Sequence, residues 1–583
     1  MGWQMGSGLT GLGGLMVMQL LAQDQSSLRI VYPPVAHQTT APQIFIIGTA
    51  PPQQVVTVNG QVISQRSPAG HFAPSIPLEY GENQLRIQAG TQTQILRITR
   101  PQPTPITGLT ILEPARNLSR LPHEPICFAA QAPANSTLHV QISSQKLPLL
   151  PIPTPVQLPP NSAALTQTNQ PEPNPISMFR GCTQFDQPGD YVRPQFQLTG
   201  PRQESQLAPG TVQILNPSQL RPVQVIRPLG GIARTGPSTD YARLTPLPPS
   251  TYAIVTGQTG DWFRLNYGAW INQSETQPLP SSSQTRSIIR SITSRQIPGW
   301  TEIRFPLEVP VPLAVDVGEK TFTLKLFNTT AQTDVIRLDA DPVISRLDWQ
   351  QTGPGEIVYR FQLHHQQQWG YRLRYEGTTL VLGLRHPPQL GPKAQPLVGM
   401  KILLDAGHGG PEDSGAIGPT GDPEKKFTLI LAKLLETELR NRGATVIQTR
   451  TTDKDLDLPE RIMAIEASEP TLALSLHYNA LPDQGDALKT QGIGAFWYQA
   501  QSHSLAVFLE DYLATQLNRP RYGVFWNNLA LTRPTVAPAV LLELGFMINP
   551  WEFEWIADET AQKQLAKTLA DGIVAWLQRT QRS

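Results

Sequence analysis

Charge is scarce in this 583-residue chain. Asp, Glu, Lys and Arg together make up 16% of it, against about a quarter in ordinary soluble proteins. The 46 basic and 45 acidic residues nearly cancel and no basic run interrupts the sequence, so the electrostatic footprint of a nucleic-acid binder is missing. Cysteine is almost absent. Cys127 and Cys182 are the only two, and neither sits in a CxxC pair, so neither points to structural zinc. They permit one disulfide in an oxidising compartment, or two separate buried thiols. After residue 30 no stretch approaches the roughly 18 uninterrupted apolar residues that a spanning helix needs, so the mature chain is expected to be soluble. Hydrophobic content of 39% excludes a wholly disordered chain, and the lack of a glycine period excludes collagen.

Proline, by contrast, is abundant, and its distribution divides the chain. Residues 401–583 hold 10 of the 57 prolines and 40 of the 91 charged residues, while the first 400 residues hold the other 47 prolines and only 51 charges. Two materials therefore meet near residue 400. At about 100–200 residues per domain the length allows several domains.

The chain opens on Leu9 to Ala22 (LTGLGGLMVMQLLA), an uncharged and mostly apolar run followed at once by polar residues, which reads as an export segment over 1–24. From Leu28 onward, strand-length alternating runs (IFIIG, VVTVNG, QILRITR) are punctuated by Asn59-Gly60 and Gly81-Glu82-Asn83, the spacing of an antiparallel sandwich. This gives an immunoglobulin-like β domain over 28–103. Residues 107–215 read as a second β domain with a Pro/Asn/Gln-rich spacer near 147–175.

Residues 222–274 resemble a bacterial SH3 domain: Gly236-Pro237-Ser238 precedes Gly260-Asp261-Trp262 and a closing strand with Trp270. The resemblance implies binding of cell-wall peptides, while the same aromatics equally suit the core of a small barrel. After a Ser/Gln linker from Gln277 to Thr285, alternation returns over 287–390. EIVYRFQL puts Ile357, Tyr359, Phe361 and Leu363 on one face, and with TFTLKLFNTT this segment resembles the AMIN-type β modules of envelope amidases. His364, His365 and His386 show no metal-ligand spacing and are expected on a solvated strand face.

Beyond residue 398 helical periods appear. Phe427, Ile430, Leu431, Leu434 and Leu435 mark one side of a run that stops at Gly443, a C-terminal cap signal. Apolar strands (KILLD, ATVIQT, TLALSL, GAFWYQ, AVLLEL) alternate with helices near 424–441, 459–468, 502–517 and 559–578. Such alternation predicts a three-layer α/β domain over 398–583 with its site at the carboxyl ends of the strands. The expected whole is a multidomain chain, in which N-terminal all-β modules (Ig-like sandwich, SH3-like barrel, AMIN-like) precede a C-terminal three-layer α/β catalytic domain.

Three polar groups fall where that rule puts a site: His408 in DAGHGG after one strand, His477 in SLHYNA at the end of another, and Glu543 inside the apolar run PAVLLELGF. A carboxylate there needs explaining, because burying one without a partner is costly. Taken singly, His408 suits a plain turn and Glu424 is an ordinary first-turn helix acid. Together with Glu424-Lys425, the motifs stand in order at gaps of 16, 53 and 66 residues. In that order they resemble the zinc-dependent N-acetylmuramoyl-L-alanine amidases of bacterial cell walls.

The resemblance covers about 400–580 and implies the following. His408, Glu424 and His477 are metal ligands for one Zn2+, leaving the open fourth position of a catalytic site. Glu543 is the catalytic glutamate, taking a proton from water and passing it to the leaving amine. The substrate is peptidoglycan, cut between N-acetylmuramic acid and L-alanine, by an enzyme exported to the periplasm or cell envelope. Arg533 and Asn479 stand where substrate contacts are expected, with a local structural bond as the other reading for each. Arg450, Asp453 and Arg461 are expected in structural ion pairs, and His503 has no partner motif. Two rivals remain open: a catalytically inactive wall-binding scaffold, and a zinc peptidase or deacetylase acting on another envelope polymer.

Some members of that family insert a helix between the second histidine and the catalytic glutamate that blocks the zinc. Here LPDQGDALKTQG is too short for one. Regulation is then expected from the N-terminal units, and a 397–583 fragment should cleave peptidoglycan with no added partner. A fragment active only with a partner protein would contradict this.

Overall fold

The computed structural model describes residues 27–102, 108–133, 135–152, 177–200 and 203–581, and the short strands 156–157 and 172–173. The export segment lies outside the described residues, as does most of the spacer 158–176. A large all-β region comes first and an α/β domain last.

The first β unit is built as the alternation predicts. Ile44, Ile46, Phe72, Leu85, Ile87, Leu96 and Ile98 fill its core. Val58 pairs with Gln61 across Asn59-Gly60, whose φ values of 49° and 81° are those of the two-residue hairpin turn that favours Asn-Gly. Gly81-Glu82-Asn83 is not a turn but the start of the long strand Gly81–Ala89.

In the second unit Cys127 and Cys182 face each other in register and are disulfide-bonded, which decides between the two readings of the sequence. The beginning of the expected spacer is instead the strand Gln145–Ile152. Its first half pairs with Thr137–Ile142 and its second half with Met178–Thr183. Each half therefore has an unpaired side, which is where Pro148 and Pro151 are tolerated. The second and third units are also less separate than their sequences imply. Leu118–Arg120 pairs with Val212–Ile214 on one side and with Tyr252–Thr259 on the other, so one sheet runs through both. That sheet ends on Thr276–Pro278, so the linker begins after Pro278.

In the fourth unit two sheets face each other over Phe305, Phe322, Tyr359, Phe361 and Leu382. Ile357, Tyr359, Phe361 and Leu363 all point inward as expected. His364 and His365 are exposed, but His386 is not on a solvated face: it is partly buried, 3.0 Å from Thr301 Oγ1.

The C-terminal domain holds a six-stranded sheet of β1 (Lys401–Ala406), β2 (Thr445–Gln448), β3 (Leu472–Asn479), β4 (Ile493–Trp497), β5 (Arg521–Trp526) and β6 (Ala539–Phe546). Their order is β2-β1-β3-β6-β4-β5. β1, β2, β3 and β6 are parallel, whereas β4 runs antiparallel to β6 and parallel to β5. Helices α1 (Glu424–Asn441), α3 (Ala500–Gln516) and α5 (Glu559–Thr580) cover one face, and α2 (Leu458–Ser468) the other. On α1 the buried stripe is Phe427, Leu431, Leu435 and Leu439. Gly443 closes that helix in the left-handed region, with the Gly443 and Ala444 amides donating to Arg440 and Leu439 carbonyls, a Schellman cap. The short α4 (Pro550–Ala557), capped by Asn549 and ended by Asp558 in an extended conformation, precedes α5. Sequence periodicity missed it because two short turns precede a long one without a gap.

The fourth β unit is fastened to this domain by charge. Glu302, 1% exposed, accepts from Arg295, Arg372 and Arg374. Arg372 reaches across to Glu469 at the end of α2, and Arg385 donates to the carbonyls of Glu469, Pro470 and Val536. Burial alone would raise the Glu302 carboxyl, but the three guanidiniums outweigh it and bring it from 4.5 to about 2. The stabilisation is thus complete above pH 4.5 and lost as pH falls toward 2, about 3 kcal/mol at 1.36 kcal/mol per unit. Glu302→Gln should remove this acid-dependent term and lower the melting temperature at pH 7, because Arg295 loses its partner and Arg372 and Arg374 keep only Glu469 and Glu376. Thermal unfolding from pH 3 to 7 checks both.

Candidate functional site

The loop after β1 carries His408 in the left-handed region, with φ 59°, a conformation uncommon for a residue with a side chain. The glycines around it make this packing possible. A Cβ on Gly407 would lie 2.3 Å from the His477 ring, and one on Gly415 would lie 2.5 Å from Glu424 Oε2. α1 begins at Glu424, so its carboxylate sits at the positive end of the helix dipole. β3 delivers His477, and β6 sets Glu543 beside it in register.

The first three side chains converge. His408 Nε2 is 3.1 Å from Glu424 Oε2, and His477 Nδ1 is 3.0 Å from Glu424 Oε1. The amides of Ala416 and Tyr478 donate to the same carboxylate, each at 2.9 Å. Burial would raise Glu424, but the hydrogen bonds from the two imidazoles outweigh it and hold the carboxyl well below its usual range. Burial pulls His408 down, and its bonds to Glu424 and Asp413 more than offset this, leaving the ring above its ordinary value. One ligand atom from each of His408, Glu424 and His477 lies within 4.8 Å of the others. Ligands on a tetrahedral zinc at 2.0–2.1 Å stand about 3.3 Å apart, close to the two contacts measured here, so two imidazoles and a carboxylate fit a divalent ion. Asp413 Oδ1 lies 2.6 Å from His408 Nδ1, a carboxylate that orients the ring for a metal on the other nitrogen. The sequence reading missed Asp413, although it stands five residues past His408 in the same loop.

Glu543 is partly buried beside this group, and its buried Oε2 has no hydrogen-bond partner. Burial first, and then the charge of Glu424, push its carboxyl well above the usual range. Below the histidines Asp405 is fully buried and accepts from Arg461, Ser475 and Thr449. Arg461 also donates to the His408 carbonyl at 2.8 Å, which holds the loop. The expected ion pairs are Arg461–Asp405 and Lys425–Asp453. Arg450 differs: it is 1% exposed and spends its guanidinium on the carbonyls of Ala406, Gly407 and Lys425.

A cavity of about 310 Å³ opens at His408, Asp413, Asp457, Arg461, His477 and Leu531. A larger one, about 550 Å³, lies between the fourth β unit and α3 and α5, where His503 and Trp497 line it, and it contains no metal-ligating cluster. The remaining predicted residues make no hydrogen bond to the histidines. Asn479 Oδ1 accepts from the Ala480 amide. Arg533 donates to the side chain and carbonyl of Asn528 and lies near Tyr498 and Arg234.

Residues 480–492, between β3 and β4, form turns with no helix. The first β unit covers them instead. Asp483 takes Tyr32 and His37, and the carbonyls of Gln484 and Gly485 take Gln43 and Ser75. Phe45 and Ile47 pack with Ala487, Phe546 and Ile548. Arg29 reaches the Thr420 carbonyl, and Glu554 accepts from the Ala69 amide. The same unit therefore grips the loops that follow β1, β3 and β6.

A family model described as N-acetylmuramoyl-L-alanine amidase matches residues 402–575. The germination-specific N-acetylmuramoyl-L-alanine amidase of Bacillus subtilis is 34% identical over 202 residues, which is 32% of this chain and 83% of that protein. The probable cell wall amidase LytH of Staphylococcus epidermidis is 33% identical over 192 residues, 33% of this chain and 62% of that one. Among solved structures, the catalytic domain of CwlV from Bacillus (Paenibacillus) polymyxa var. colistinus aligns at 31% identity and a TM-score of 0.29, covering 31% of this chain and 98% of that one.

The geometry predicts that Asp413→Asn lowers the affinity for a divalent ion by about 10–100-fold while leaving the fold intact. Competition with a chromogenic chelator measures it, and unchanged affinity would remove Asp413 from the site.

Proposed function

The chain belongs to the N-acetylmuramoyl-L-alanine amidase family, and on that premise we propose how its residues carry out the hydrolysis of peptidoglycan. The bond cut is the amide between N-acetylmuramic acid and the L-alanine of the stem peptide. The observation that supports the reading most is the convergence of His408, Glu424 and His477 beside Glu543, whose buried Oε2 has no hydrogen-bond partner. These three would hold one zinc ion, which when bound polarises the amide carbonyl and lowers the pKa of a water molecule.

The chain's own groups do the rest. Glu543 Oε2 accepts a proton from the water that attacks the lactyl carbonyl carbon. As the carbon–nitrogen bond breaks, Glu543 returns that proton to the alanine nitrogen, leaving a free amine and a muramic carboxylic acid. The high pKa imposed on Glu543 by burial and by Glu424 suits both halves of the transfer. A cation held by Glu424 offsets the charge that keeps Glu543 protonated, and once loaded with the proton the residue is an acid strong enough to give it up. Arg450 and Arg461 position His408 through loop carbonyls.

We also read the β units as the parts that keep the enzyme on the wall. We read the first as an Ig-like sandwich, the third as SH3-like and the fourth as AMIN-like. Arg533 and Asn479 are read as substrate contacts. The disulfide between Cys127 and Cys182 supports action outside the cytoplasm, in keeping with export to the envelope. No helix among the described residues is long and apolar enough to cross a membrane.

Purified peptidoglycan digested with the wild type should release stem peptides with free alanine amines and leave intact glycan strands. Glu543→Gln should slow this by about 10²–10⁴-fold while still binding one metal ion. New reducing sugar ends, or cleaved peptide cross-links, would overturn the reading.

A further inference from the structure

The cavity of about 310 Å³ beside His408 and His477 has an apolar wall that the proton transfer leaves unused. Leu456, Leu458 and Leu531 line it together with the two histidines. The carboxylates of the same cavity are engaged within the chain. Asp413 holds His408, and Asp405 takes Arg461, Ser475 and Thr449. Asp455 accepts from the Glu412 amide at 3.3 Å, and Asp457 caps α2 by accepting from the Glu460 amide at 2.7 Å. The Glu412 side chain is exposed. What the cavity offers a ligand beyond these groups is leucine surface.

Both ends of this wall are fixed in place. Leu531 sits in the 3-10 turn Ala530–Thr532 and packs with Ala530, Ile465, Val536 and Ala539, leaving it 5% exposed. Thr532 Oγ1 donates to the carbonyls of Asn527 and Leu529, at 3.0 and 2.9 Å. Arg533 donates to the side chain and the carbonyl of Asn528, both at 2.7 Å, so the residues before and after the turn are tied together. Leu458 opens α2, where Asp457 and Glu460 form a capping box, and α2 packs against the turn. Leu458 itself is 54% exposed. A side chain held by close packing yields little, so a substrate group that meets Leu531 must fit the space that Leu531 leaves.

The amide to be cut has a feature that such a wall can read. The carbon on each side of it carries a methyl group, the lactyl methyl on the carbonyl side and the alanine methyl on the nitrogen side. We propose that Leu458 and Leu531 form the contact that recognises one of these methyls, and so set the size of the group admitted beside the bond. The inference rests on the amidase reading. One methyl more or less in a hydrophobic pocket changes kcat/KM by about 10–200-fold. Because that methyl sits on a carbon directly bonded to the amide, seating it against the leucines also orients the amide at the histidines.

The test uses the full-length protein with zinc supplied and three muramoyl dipeptides: the parent, a form with glycine in place of alanine, and a form with glycolyl in place of lactyl. For the wild type, kcat/KM should be about tenfold lower on one of the two methyl-free forms than on the parent. Leu531→Ala should lower kcat/KM about tenfold on the parent and leave it within about twofold on that methyl-free form, so that the preference disappears. Leu458→Ala, at an exposed position, should melt as the wild type does and lose about threefold of the same preference. Ratios taken on one preparation do not depend on how much of a core variant is folded. The form whose handicap vanishes shows whether the wall reads alanine or the lactyl group. In the Glu543→Gln background, calorimetric affinity for the parent should fall with Leu531→Ala more than affinity for that methyl-free form does. Wild-type ratios kept by both leucine variants, or an equal loss on every compound in either assay, would overturn the proposal. So would a wild type that cuts all three with equal kcat/KM. A wild type that cuts none of them refutes the amidase reading, and the proposal with it.

Discussion

Everything around the candidate active centre depends on one buried carboxylate. Glu424 takes two imidazole nitrogens and two backbone amides, and those partners come from the loop after β1 and from β3. A charge so deeply buried is tolerable only because each of its oxygens is satisfied. The constraint spreads outward: His408 must adopt a left-handed backbone, Gly407 and Gly415 must lack side chains, and Arg450 and Arg461 must tie down the loop carbonyls. The same charge raises Glu543 and so prepares the residue that moves the proton. Position and electrostatics are one device here, because the group that gathers the ligands also tunes the base.

The β units surround this centre rather than trail from it. The first grips the loops leaving three active-site strands, the third meets the far end of the sheet face through Tyr498, and the fourth is locked to α2 through Glu302, Arg372 and Glu469. The low overall charge of the N-terminal region hides this arrangement. A few of the charges in that region are placed at the seams, as with Arg29, Arg372 and Arg385.

Local and distant features were not equally legible in the sequence. The motifs holding His408, Glu424, His477 and Glu543 are short and each carries its own signal, and the long helices show clear periodicity ended by a glycine cap. The inward face of EIVYRFQL was legible for the same reason. Seams were not. The bond between His37 and Asp483 joins residues 446 apart in sequence, and no local pattern marks either one. The shared sheet of the second and third units, the strand hidden in a proline-rich stretch and the carbonyl contacts of Arg450 also arise from partners far along the chain. Asp413 was the exception: its signal was local, but an acid in a glycine-rich loop looks ordinary until the histidine turns toward it.

The central claim is that His408, Glu424 and His477 form one metal site. X-ray absorption at the zinc edge, on the purified full-length protein and on Glu424→Gln, tests it most directly. The account predicts one zinc per chain with nitrogen and oxygen neighbours at about 2.0–2.1 Å in the wild type, and loss of most of that zinc in the variant. Zinc retained unchanged in Glu424→Gln, or bound through sulfur, would contradict it.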